Sequence, residues 1–141
     1  MLWGSTFKYV IQPLQIQQNT IFRIIRNVSY NATSRPIYKS LNILPIGNLY
    51  KMELAKFMYC HSKHLLPKPL LKLFTANREI HCHNTRAINN PHIPRLNTKQ
   101  ATKSFIYTAP QLWFTIPENV KDAKTVKSFV GKYKTELISR L

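Results

Sequence analysis

At 141 residues the chain has room for one small domain with a modest core. Lysine and arginine total 21 against 5 acidic residues, a formal charge of +16, and such an excess points to a polyanionic partner whose counterions are released on contact. Two cysteines, three glycines and carboxylates with no close pair exclude a disulfide scaffold, a glycine-rich phosphate cradle and paired-carboxylate or metal-assisted phosphoryl chemistry. The chain is therefore not read as an enzyme.

The acids are unevenly placed, with none before Glu53 and none between Glu79 and Glu118. Two long stretches are purely cationic. No secretory h-region is legible and no apolar run approaches the roughly 18 residues that cross a bilayer, so an intracellular, reducing location away from membranes is expected, nuclear or cytoplasmic. The acid-free N-terminal stretch, with Lys8, Arg23, Arg26 and Arg35 among serines and threonines, also fits a mitochondrial transit peptide.

In chain order, Pro13 suits the first turn of a helix, and Leu14, Ile21, Ile24, Ile25 and Val28 recur near a 3.6-residue period. Arg23 and Arg26 fall off that stripe. This predicts an amphipathic helix ending before the polar segment 29–36, followed by a short helical turn at 36–41. The strongest periodicity comes next: Tyr50, Leu54, Phe57, Met58, His61 and Leu65 share a face opposite Glu53, Lys56, Cys60 and Lys63, which predicts a helix from about Asn48 to Lys63. Pro67 and Pro69 stop it, since neither donates a backbone hydrogen bond.

From Ala76 to Thr102 no period is sustained, and Pro91 and Pro94 interrupt any regular element, so this reads as a long irregular basic arm. A short β-like segment is expected at 104–110, and 110–117 reads as a short apolar helical turn bracketed by prolines. The last helix is expected from about Lys124 to Arg140, burying Val126, Phe129, Val130, Tyr133 and Leu137, with Glu136 and Arg140 at the i, i+4 spacing of a weak surface pair. The expected fold class is mainly α, with about three principal helices and a long irregular basic loop.

The hexapeptide His81-Cys82-His83-Asn84-Thr85-Arg86 raises the possibility of a metal site. Cys60 and His64, four apart on the predicted helix, can converge, and Cys82 with a neighbouring histidine completes a four-ligand zinc set. The spacing matches no zinc finger or knuckle, and His81 and His83 point to opposite sides of an extended segment. No metal is therefore assigned, and His61, on an apolar helix face, reads as a packed core histidine.

The order of these landmarks resembles the C-terminal, post-palm and thumb-side region of non-long-terminal-repeat (LINE-type, jockey-like) retrotransposon reverse transcriptases. Ser104, Phe105, Tyr107, Pro110, Leu112, Trp113, Pro117, Phe129 and Lys134 match the Ser-Phe-x-Tyr, Pro, Leu-Trp-Asn, Leu-Pro and helical Phe-Lys pattern of that tail. The opening is similar too, through Leu2-Trp3-Gly4-Ser5, Pro13-Leu14, Gln18 and Arg23-Ile24-Ile25, and the hexapeptide resembles the family's His-x-His-x-Thr-Arg linker. Departures are Phe114 for the asparagine, Val130 for the lysine after Phe129, and Asn19-Thr20 where basic residues are common.

The resemblance implies a three-part layout: a thumb-like helical part over 1–75, a basic arm over 76–103, and a C-terminal motif with its helix over 104–141. It also implies a fragment of an RNA-directed DNA polymerase, in a family whose chain runs on upstream of the position of Met1. The family's Asp-Asp hairpin and upstream aspartate, which hold magnesium, are missing, because Asp122 is the single aspartate. What is then expected is sequence-tolerant RNA or DNA binding by Arg23, Arg26, Arg86, Arg95, Lys99 and Lys103, with Tyr107 available for stacking and Trp113 and Phe129 in the core. The missing polymerase core is a further expected partner. The alternative is a free-standing basic helical nucleic-acid-binding protein, mitochondrial by its N-terminal composition.

Overall fold

The computed structural model describes residues 7–80, 88 and 90–141. Among these residues the chain forms helices α1 (Lys8–Ile25), α2 (Ser34–Leu41), α3 (Ile46–Ser62), α4 (Lys68–Leu71), α5 (Asn77–Ile80), α6 (Phe105–Thr115), α7 (Glu118–Lys121) and α8 (Val126–Ser139), with a 3-10 turn at Ala101–Lys103. No sheet forms among them; the Ala76–Pro91 bridge is isolated. The mainly α expectation holds. Five helices rather than three are eight residues or longer, because α2 and α6 add to those read from periodicity.

Three helices end by the same local device. Asn27, Asn42 and His64 take left-handed backbone angles, with φ of 50°, 52° and 54°, and the following N–H reaches back to a carbonyl five residues earlier: Val28 to Arg23, Ile43 to Tyr38 and Leu65 to Cys60. This closes the carbonyls that a helix end leaves open, and asparagine tolerates the left-handed region better than most residues. At the start of α8 the Thr125 hydroxyl accepts from the Ser128 N–H at 3.2 Å, a side-chain N-cap.

Helix α3 is the centre, packed against α8, α6 and α1. Its buried residues are Leu54, Ala55, Met58 and Tyr59, with Phe57 packed at the edge of the core. From Phe57 to Tyr59 the packed arc covers about 200°, at 100° per residue. The single face read from periodicity is therefore too narrow: Tyr59 and Ala55 lay outside it, and Leu65, assigned to it, is 60 % exposed because the chain has already turned at His64. Burial on several sides follows from having three helical neighbours.

Two ring clusters fill the space around α3. Tyr59 stacks on Phe129 with centroids 4.4 Å apart, and Trp113 and Tyr133 close on the same phenyl ring. Phe57, Phe74 and Phe105 form a second group of mostly edge-on contacts. Phe129 and Trp113 are thus core residues, as expected. On α8 the expected stripe holds, with Phe129, Tyr133 and Leu137 buried and Val126 and Val130 packed at the margin.

Segment 104–110 is a correction. It is the first half of α6 and not a β-like segment, and Pro110 lies inside the helix instead of bracketing it. Proline removes the bond its N–H would make to the carbonyl four residues back, here that of Ile106, which sits at an exposed position. Pro13 stands in the same place in α1, six residues into the helix, so that helix begins ahead of it. There the freed carbonyl belongs to exposed Tyr9. In both cases the loss falls near the helix start, where water can replace the donor.

A second correction concerns the direction of α1. Its aliphatic stripe faces solvent, with Leu14 at 51 %, Ile21 at 53 % and Ile24 at 72 % exposure. Its amides face the body instead. The Gln15 and Gln18 side-chain oxygens both accept from the Ile46 N–H at 3.1 Å, and the Gln18 amide donates to the Leu44 carbonyl at 3.2 Å. Gln15 also donates to the Tyr38 hydroxyl, which donates to Asn19. Ile46 opens α3 and its N–H lacks an intrahelical acceptor, so the glutamines of α1 satisfy the start of the central helix, and this decides which face turns inward.

Candidate nucleic-acid interface

The described cations among those expected to meet nucleic acid fall into two groups. Arg23 and Arg26 stand at the C-terminal end of α1. Arg23 donates through Nε to the Ala32 carbonyl at 2.9 Å and lies over the Tyr30 ring, and Arg26 donates to the Ser40 hydroxyl at 2.8 Å. These contacts close the loop between α1 and α2, so Arg23 is partly committed to structure.

Arg95 and Lys99 are exposed in the irregular segment 91–100, and Lys103 ends the 3-10 turn that leads into α6. The Lys103 ammonium lies 5.9 Å from the Phe7 ring, just ahead of α1. From Phe7 to Arg23 along the helix is about 24 Å at a rise of about 1.5 Å per residue. Lys103 and the Arg23–Arg26 pair therefore mark opposite ends of α1 and do not form one patch. Arg86, with the whole of 81–86, lies outside the described residues. The flanks of that segment are tied together: Asn77 and Arg78 N–H groups donate to the Asn90 and Ile88 carbonyls, and His92 N–H to that of Thr75.

Very little of the positive charge is consumed internally. Among the described residues two ion pairs form, Lys121–Glu118 at 2.8 Å and the expected Arg140–Glu136 at 2.7 Å. Both lie in the C-terminal part of the chain, and Lys121 also covers the Trp113 ring at 5.3 Å. The remaining surface is left with a cation excess that an anionic polymer can neutralise.

Sequence reasoning did not single out the feature that joins these elements. A groove of about 650 Å³ runs between α1, α3 and α6, with Lys51 and Lys103 and no carboxylate among the described residues of its lining. Its apolar surface comes from Ile11, Tyr50, Leu54 and Leu112, and Gln12 and Gln111 supply exposed amides. At 100° per residue Lys51 falls about 20° from Met58, within the packed face of α3 but exposed near the helix start, and the approach of α1 and α6 turns that position into a groove wall. Gly47 also lines it, and a side chain built there would meet nothing within 4 Å.

Two phenols respond to their surroundings. Burial pushes Tyr38 above its ordinary value, opposed by the Gln15 hydrogen bond and the Arg23 charge. Burial likewise raises Tyr133, with Arg140 opposing and Glu136 adding to the shift.

For a metal, the arrangement differs from the helical spacing. His64 lies beyond α3 in the left-handed region, so Cys60 and His64 are not an i, i+4 pair on one helix face. Among the described residues no three histidine, cysteine or acidic side chains group as a metal site; His81, Cys82 and His83 are outside that set. His61 packs edge-on against Phe74 at 5.2 Å and its Nε2 lies 3.0 Å from the Leu71 carbonyl, the arrangement of a packed histidine donating to backbone. Tyr107, the candidate stacking ring, is half-buried on α6. No described helix is long and apolar enough to cross a membrane.

No family model matches the chain, and comparisons with curated proteins and with solved structures return no match.

Proposed function

We propose that this chain is a sequence-tolerant RNA- or DNA-binding helical unit, corresponding to the thumb-side, post-palm part of a LINE-type RNA-directed DNA polymerase and performing no chemistry itself. The observation that carries the reading is the uncompensated charge: a formal +16 in which two ion pairs form among the described residues. The order of motifs from Trp3 to Leu137 supports the parentage. Arg95 and Lys99 on the irregular segment, with Lys103 at its end, track phosphates as point charges. Arg26 and the outer face of Arg23 form a second, separate cationic point about 24 Å away by helix rise.

Fluorescence anisotropy of labelled single-stranded RNA and DNA against salt tests the binding. Affinity is expected to fall linearly in log–log form, with a slope of roughly −0.7 for each phosphate neutralised on a single strand. A flat salt response sinks the contact mode. The parentage has a separate test: mapping the 5′ end of the transcript and reading the frame ahead of the Met1 codon. An in-frame (Phe/Tyr)-x-Asp-Asp is expected, and its absence leaves the free-standing binding protein as the reading.

A further inference from the structure

The groove between α1, α3 and α6 combines features that the electrostatic reading does not use. Its walls are mainly apolar, and its volume of about 650 Å³ lies within the range of sites that enclose small organic groups, about 300–1,000 Å³. Two lysines line it, Lys51 on α3 and Lys103 in the 3-10 turn ahead of α6, and no carboxylate faces it among the described residues. An occupant must therefore offer flat or apolar surface to Tyr50, Leu112 and Ile11 together with negative charge to the lysines. It must also tolerate the amides of Gln12 and Gln111.

We propose that the groove seats an unpaired base of a single-stranded nucleic acid, with Lys51 and Lys103 holding phosphates beside it. This rests on the nucleic-acid-binding reading and assigns that reading a definite site. A nucleobase supplies a π-face for the Tyr50 ring in the lining and polar edges for the glutamine amides, and its backbone supplies the charges. A duplex is a poor occupant, because its bases are stacked and paired and one must be flipped out before it can enter. The groove thus adds a preference for single strands to a surface that is otherwise indifferent to sequence.

Gly47 provides the test, since a side chain there enters open space and lines the groove. Gly47→Phe fills the site from α3, and Lys51→Ala removes an exposed cation without touching the core. The probes are a labelled uridine 12-mer, an abasic strand of the same length and charge, and a duplex. Anisotropy with the unmodified protein is expected to favour the base-bearing strand over the abasic one by roughly tenfold, the effect of one stacked base. Gly47→Phe should abolish that preference while leaving abasic binding and its salt slope unchanged. Lys51→Ala should weaken both strands and reduce the slope by about 0.7.

Equal binding of the two strands by the unmodified protein overturns the proposal, as does a preference that survives Gly47→Phe with its helical spectrum intact. Should Gly47→Phe fail to fold, an unchanged salt slope in Lys51→Ala overturns it instead. A dimer in sedimentation that Gly47→Phe converts to monomer assigns the groove to a second copy of the chain, again overturning it. No binding of any strand at low salt refutes the nucleic-acid reading itself, an outcome distinct from failure of the groove alone.

Discussion

Replacing Tyr59 with phenylalanine isolates one atom of the core. The residue is 1 % exposed, and its hydroxyl donates to the carbonyl of Ala123, 64 residues away, where the chain leaves α7 for α8. Phenylalanine keeps the ring and its stack on Phe129, so no large cavity opens and the apolar contacts remain. What is lost is one hydrogen bond, and Ala123, itself 2 % exposed, keeps a carbonyl that water cannot easily reach. Leaving such an acceptor unsatisfied costs about 1–3 kcal/mol. For a chain of this length that corresponds to a fall in Tm of roughly 3–10 °C. Urea titration followed by circular dichroism should show a lower midpoint with an unchanged slope, because the surface exposed on unfolding is the same. Tyr9→Phe, at a ring that is 71 % exposed, should leave the midpoint where it is. A loss below about 0.5 kcal/mol for Tyr59→Phe, within the usual range for surface substitutions, refutes the assignment of this bond as the tie between α3 and the α7–α8 connection.

Other substitutions probe separate parts of the argument. Gln18→Ala removes the donor to the buried Leu44 carbonyl while Gln15 still accepts from Ile46 N–H, and should lower stability by about 1 kcal/mol in the same titration. Ile24→Gln, on the outward stripe of α1, should change stability by less than about 0.5 kcal/mol; a loss of about 2 kcal/mol would show that the stripe is buried after all. Arg95→Ala combined with Lys99→Ala should leave Tm unchanged and reduce the salt slope for single-stranded RNA by about 1.4, whereas Arg23→Ala should lower Tm through the lost Ala32 contact. Tyr38 and Tyr133 are both raised by burial, so the folded state favours their neutral forms. Their contribution is fully present below the ordinary phenol value of about 10 and is lost as pH rises through the higher folded values. Stability measured across the alkaline range should therefore decline above about pH 10, and less steeply in Tyr133→Phe.

The helices were largely legible because their apolar spacing and their stops are local. The run from Tyr50 to His61 and the Val126 to Leu137 stripe repeat near 3.6 residues. The prolines after α3 mark a stop whose chemistry depends on a few neighbouring residues. Only the second half of helix α6 was legible because Pro110 reads as a boundary, yet a proline six residues into a helix frees only a carbonyl near its start. Among the candidate contacts, Arg95, Lys99 and Lys103 were proposed from charge alone. Lys51 was not, although it lies beside Met58 on the packed face of α3, because the groove it lines is formed by helices distant in sequence.

The sequence by itself determined the helical class and the cation excess, since these follow from period, residue type and composition. Only the tertiary structure decided which faces turn inward. In α1, aliphatic side chains lose to Gln15 and Gln18, because the N–H of Ile46 and the carbonyl of Leu44 require partners once α3 is brought against it. In α3, packing on three sides draws in Ala55 and Tyr59, which no single stripe contains. The groove that joins Lys51 to Lys103 arises the same way, from three helices distant in sequence, and no periodicity within one of them carries it.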